Sequence, residues 1–165
     1  MTHTLATLTE YQDWLNTIKQ RVVSARLRVA LAANRELILF YWELGAQIAE
    51  KQAQSQWGDK LIAQLSADLQ KSFPDLKGLS TSNLKYCLRF FHFYRSTPTL
   101  AEPKNPPEPF GQQAVDQIPW GHNILIFTKC SSIAEADFYL RQTLEQGWSR
   151  DVLALQLKSR LHERA

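Results

Sequence analysis

Between Leu8 and Ala53 the chain has no proline and a single glycine, Gly45, and no other feature limits its fold as strongly. Proline and glycine are the residues that break or end helices, and here they are withheld over many turns. The apolar residues Leu8, Tyr11, Leu15, Ile18, Val22, Ala25, Val29 and Ala32 follow steps of three and four. That heptad rhythm lines them along one side of a helix. The pattern predicts one helix over residues 8–53, unbroken at Asn34, with Thr7 or Thr9 capping its start. From Leu37 to Ile48 the sequence LILFYWELGAQI is apolar nearly all round, so other helices are expected to bury that half.

The borders of the heptad seam are basic. With Leu8 at position a, Lys19 and Arg26 fall at e, and Arg21, Arg28 and Arg35 at g. A homodimer through this seam would set like charges against each other in either orientation. Arg21, Arg28 and Arg35 are therefore expected to oppose such a dimer, leaving residues 37–48 or the C-terminal helices for self-association. Two readings of these cations compete. They form a solvated flank on a helix packed within its own domain, or they meet phosphate or an acidic protein partner.

Beyond the turn AQSQWGD, Asp59 or Gly58 opens a second helix to about Phe73, with Leu61, Ile62, Leu65, Leu69 and Phe73 facing inward, and Pro74 ends it. Gly78 lies in the turn. Ser80 or Thr81 caps a third helix to about Arg95, whose inward face is Leu84, Cys87, Leu88, Phe91 and Tyr94. Two helices joined by a glycine-containing turn, the second basic, suggest a helix-turn-helix. Residues 97–109, TPTLAEPKNPPEP, carry five prolines and no periodicity, and read as a loop. After it come short helices at about 111–117, 121–129, 132–146 and 150–163. Gly147 sits where a left-handed C-cap is needed and Ser149 where an N-cap is needed, so Phe138 to Leu161 forms a second helix-turn-helix. No segment alternates as a strand would. The expected architecture is all-α: a long N-terminal helix followed by helix-turn-helix-like hairpins. It is read as a single domain over 1–165, with a larger part 8–96, the loop 97–109 and a C-terminal part 110–165.

Composition bounds the function. The net charge of +3 over 165 residues permits a nucleic-acid partner without requiring one. Cys87 and Cys130 lie in apolar helical patterns with no neighbouring cysteine, which argues against disulfides or structural zinc and for a reducing cytoplasm. No signal peptide precedes the first helix and no apolar run is long enough for a membrane span. His3, His92, His122 and His162 are scattered, and His122 is expected to cap or line a helix junction. No metal-ligand spacing, phosphate loop or nucleophile motif is visible, so neither cofactor nor catalytic site is expected.

Three stretches carry a resemblance: WGDKLIAQLSADLQKSFPDLKGLSTSNLKY, PWGHNILIFTK and EQGWSRDVLALQLKSRLHER. With RVVSARLRVALAANRELILFYWELGAQI before them, the chain resembles the N-terminal domain of bacterial YhcG-type proteins from about residue 14 to 164. In that family a nuclease domain of the PD-(D/E)xK class usually follows. The resemblance implies a DNA-binding or targeting role without catalysis of its own. Pro74-Asp75 with Glu102-Pro103-Lys104 spells the nuclease signature by coincidence, because the acids would stand in a helical turn and a proline-rich loop instead of on adjacent strands.

The residues expected to meet DNA are Lys85, Arg89, Ser82 and Asn83 on the third helix, with Arg21, Arg28 and Arg150. Arginine and lysine reach phosphates or guanine edges, and asparagine can pair with adenine. Lys158 and Arg160 are further phosphate candidates. Trp148 is read as a core plug, and Ser149 as a cap. The competing function is protein–protein assembly through the long helix, as a homo-oligomer or with an acidic protein.

Overall fold

A computed structural model describes residues 2–54, 59–95 and 114–165 of the chain. The described residues form seven α-helices and one 3₁₀ turn, with no strand. Helix α1 spans Thr2–Gln54, 53 residues without a break. It therefore runs through Thr7 and Thr9, neither of which is its cap. No breaker precedes them to stop the helix there. The proline-rich stretch 97–109 and the first part of the helix expected at 111–117 lie outside the described residues. Of that helix, Ala114–Gln117 is a 3₁₀ turn.

Helices α2 (Asp59–Ser72) and α3 (Thr81–Tyr94) follow α1. Ser80 caps α3 by accepting the Asn83 backbone N–H at 3.2 Å. The expected inner face of α2 needs one correction: Phe73, just past the end of the helix, is exposed, and Ser66 within the helix is buried. The Ser66 hydroxyl donates to the Leu79 carbonyl at 2.8 Å, satisfying a group that burial would otherwise strand. Helices α4 (Trp120–Lys129) and α5 (Ile133–Gln146) complete the body with α6 (Arg150–Lys158) and α7 (Leu161–Arg164). Gly147 ends α5 in the left-handed conformation at φ 63°, and Ser149 caps α6 on the Val152 N–H.

The last helix was expected to be continuous over 150–163. It breaks instead at Arg160, which takes φ 55°. The break turns Leu161 and His162 back onto α5, where His162 Nδ1 lies 2.9 Å from the Tyr139 hydroxyl and Nε2 lies 3.6 Å from Glu135. Glu135 also accepts from the Ser131 backbone and hydroxyl. Burial pushes the Glu135 carboxyl up, but the Ser131 hydrogen bonds, with His162 and Arg160 nearby, outweigh it and leave it below its ordinary 4.5. A carboxyl depressed in the fold adds stability that is full above its unfolded value and lost as pH falls through the lower folded value. The melting-temperature advantage of wild type over Glu135→Gln should hold near neutrality and shrink on acidification below the ordinary carboxylate range. Thermal melts from pH 7 down to pH 3 check this; a gap that is constant with pH would sink it.

The main core gathers Ile38 of α1, Phe90 and Tyr94 of α3, Val115, Phe127 of α4, Tyr139 of α5 and Leu153 of α6. Residues from both sides of 97–109 thus share one cluster. Phe90 is its hub, with ring centroids 5.5 Å from Trp42, 5.3 Å from Trp120 and 5.7 Å from Phe127. A smaller cluster of Ile48, Ile62 and Leu84 joins α1, α2 and α3. Where α1 crosses α3, Gly45 lies so close to the Cys87 backbone that a Cβ there would meet its carbonyl. Residues 37–48 are buried on one face rather than all round: Ile38, Tyr41 and Ile48 are buried, while Leu37 and Phe40 remain about two-fifths exposed.

Candidate nucleic-acid interface

Helix α3 is held by its apolar residues, and that fixes which side faces out. With Leu84, Cys87, Phe90 and Tyr94 buried, the residues Ser82, Lys85, Arg89 and His92 are left exposed at steps of three and four. They share one face of the helix. Among the described residues the Lys85 side chain is in no ion pair. Arg89 is partly occupied: its guanidinium donates to the Thr128 carbonyl at 3.3 Å. That carbonyl belongs to the last turn of α4, where unpaired carbonyls leave a partial negative charge that an arginine complements. The bond places Arg89 beside exposed Lys129, the next residue of α4. Lys129 was not singled out in the sequence, because the pairing joins residues far apart in the chain. His92 continues the face, and burial, with Arg95 nearby, pushes its pKa down.

Asn83 is spent within the fold. Its Nδ2 donates to the Gly78 carbonyl at 2.7 Å, and its Oδ1 accepts the Trp120 indole N–H at 2.7 Å. Gly78, at φ 92°, holds the turn, and the Tyr41 hydroxyl sits where its Cβ would be. The asparagine therefore clamps α3, the turn and α4 together, and its amide edge is taken.

The other expected residues lie elsewhere. Arg21 and Arg28 are exposed on α1. Arg28 stands ten residues before Ile38, the first α1 residue buried in the body, which is about 15 Å of helix rise. Arg35 pairs with Asp116 at 3.3 Å. Arg150 opens α6 with its aliphatic stem over Gly121, and Arg160 pairs with Glu163. Lys158 is exposed. Trp148 is half-buried against the core, and its carbonyl is 2.9 Å from His122 Nε2, so His122 lines the junction of α4 with the α5–α6 corner.

Neither hairpin has the full helix-turn-helix form. The link between α2 and α3, residues 73–80, is eight residues, against the three or four usual in a DNA-reading turn. The α5–α6 corner has three, but α6 turns Val152 and Leu155 outward, with Asp151 in its first turn. The short corner and the basic helix belong to different hairpins.

Among the described residues no group of three or more His, Cys, Asp and Glu is placed to hold a metal ion. Cys87 and Cys130 are free and buried. Burial pushes both thiols up to about 12, far from the thiolate a nucleophile requires. No helix is long and apolar enough to cross a membrane among the described residues.

Comparison with known proteins adds a family. The model of the DUF1016 N-terminal domain matches residues 17–164. A protein of Escherichia coli (strain K12) named "Putative nuclease YhcG" is 27% identical over 176 positions, covering 93% of this chain and 46% of that protein. The chain thus spans about half the length of this curated relative. No solved structure matches it.

Proposed function

We propose, from the premise that the chain belongs to the DUF1016 N-terminal domain family, that it is a non-catalytic DNA-binding or targeting module of the cytoplasm. The observation that carries this reading is the outward face of α3. Lys85 and Arg89 stand on it with Ser82, and Lys129 adjoins from α4, with no carboxylate paired to any of these cations among the described residues. Unpaired cations on a rigid helix suit phosphate binding, which supplies most non-specific affinity for DNA. The name of the Escherichia coli relative supports nucleic acid as the partner class. In this reading the parts 8–96 and 110–165 act as one unit, because Arg89 and Lys129 come from opposite sides of the proline-rich stretch. Arg150 serves as a secondary phosphate ligand, Arg21 and Arg28 lie on α1 outside this face, and Asn83 acts by holding the face in place.

Binding to duplex DNA should weaken linearly as salt rises on a log–log plot. Lys85→Ala with Arg89→Ala should flatten that slope by about 0.9 for each phosphate the protein no longer neutralises. Adding Lys129→Ala should flatten it further. All three side chains are exposed, so circular dichroism and melting temperature should stay near wild type. Titrations at several salt concentrations decide the matter. Absent binding at low salt, or an unchanged slope in the folded double mutant, would sink the proposal.

A further inference from the structure

Helix α1 continues well beyond the body it packs on. The last hold is at Asn34 and Arg35: Asn34 donates to the Asp116 and Ile118 carbonyls at 2.8 and 2.9 Å, and Arg35 pairs with Asp116. From residue 7 to residue 33, about 40 Å of helix, every residue is exposed except Leu15 and Ile18, which are half-buried. Of the two readings of these cations, packing of the segment within its own domain does not fit this exposure. Its heptad seam lies uncovered, with Leu8, Tyr11, Val22 and Val29 each at least half exposed. Helices in proteins draw most of their stability from tertiary packing of an apolar face. An apolar seam of several heptads is also more than a soluble surface normally leaves open.

The borders of the seam select what covers it. From Trp14 to Arg35 the helix carries Lys19, Arg21, Arg26, Arg28 and Arg35 and no acid. A parallel second copy would bring Arg21 against Arg26, and an antiparallel one would bring Arg21 and Arg28 against their own counterparts. Glu10 and Asp13 fall at c and f in the same heptad frame, away from the seam, and relieve neither arrangement. Nucleic acid would meet the cations and leave the apolar stripe in water. We infer that residues 8–32 of α1 are a docking surface for an acidic amphipathic helix of a different protein segment. That helix has an apolar heptad seam and Glu or Asp at its e and g positions. Apolar knobs cover the stripe, the acids pair with Lys19, Arg21, Arg26 and Arg28, and the charges set the choice of partner.

The test uses the full 165-residue chain and two synthetic peptides of about four heptads, with Ile and Leu at a and d and either Glu or Lys at e and g. The Glu peptide should bind at least about tenfold more tightly than the Lys peptide, and the difference should narrow as salt rises. Arg21→Glu with Arg28→Glu should reverse the preference, while Ile18→Asp with Val22→Asp should abolish binding of both. These positions are outside the core, so the variants should melt with wild type. If both peptides bind equally, or neither binds, the inference is overturned. It is overturned as well if sedimentation shows a dimer of the chain that Val22→Asp dissolves, because the occupant is then a second copy. A loss of duplex-DNA affinity in the Arg21 and Arg28 variant, with no Glu-peptide binding to wild type, would assign the surface to nucleic acid. The α3 cations are untouched in every variant, so failure here leaves the proposed DNA face to be judged on its own.

Discussion

Phe90→Ala is expected to remove about 3–5 kcal/mol of stability, the usual range for a fully buried aromatic. The ring is 0% exposed and touches aromatics from α1 and α4 as well as Tyr94 of its own helix. Deleting it takes away its own transfer energy and leaves a void that three helices cannot close without separating. Against a total margin of order 5–15 kcal/mol, that is a large share. The melting temperature should fall by roughly 6–20 °C, and the urea midpoint should fall with it. Phe91→Ala is the natural control: it is half-buried, lies 4.9 Å from Trp42, and should lose less than half as much. A Phe90 variant within about 1 kcal/mol of wild type would mean that this cluster is not the centre of the fold.

Gly45→Ala comes next, and its sign is what makes it informative. In an open helix, alanine for glycine stabilises by up to about 1 kcal/mol, because it restricts the unfolded chain. Here the new methyl would fall on the Cys87 carbonyl, with Phe91 Cβ 3.0 Å away. Backbone cannot rotate aside as a side chain can, so α1 and α3 must part, and overpacking of this kind costs about 1–3 kcal/mol. Even after the gain in helix propensity the net change should be destabilising by about 1–2 kcal/mol. Calorimetry or urea titration of the single variant reads it directly. A stabilised Gly45→Ala would show that the two helices do not cross as closely as described.

These two residues also mark where sequence reasoning stopped. The continuity of α1, the caps at Ser80 and Ser149 and the left-handed Gly147 follow from local rules that a few neighbouring residues satisfy. Phe90 does not, because a single-face stripe through Leu84, Cys87, Leu88, Phe91 and Tyr94 leaves it out. Helix α3 is packed from two sides, by α1 with α2 and by α4, so a second row is buried that periodicity assigns to the surface. The basic face was half legible. Lys85 and Arg89 stood out as cations beside an apolar stripe, but the link to Lys129 runs through a carbonyl 39 residues away. Asn83 looked available for a base because polar residues early in a helix often are. Its two partners become visible only when Gly78 and Trp120 are brought around it.

The clamp at Asn34 and Arg35 has a consequence for how the length of α1 can change. A helix rotates its faces by about 100° per residue, so the direction in which Leu8 or Val22 points is phase-locked to the body through that clamp. One residue inserted between Val22 and Asn34 would move everything before it by only about 1.5 Å, yet swing it roughly 100° around the axis. Seven residues would restore the original heading to within about 20°, as would eleven in the opposite sense. The arm behaves as a keyed shaft: its reach is adjustable, but only in increments that bring the key back into its slot.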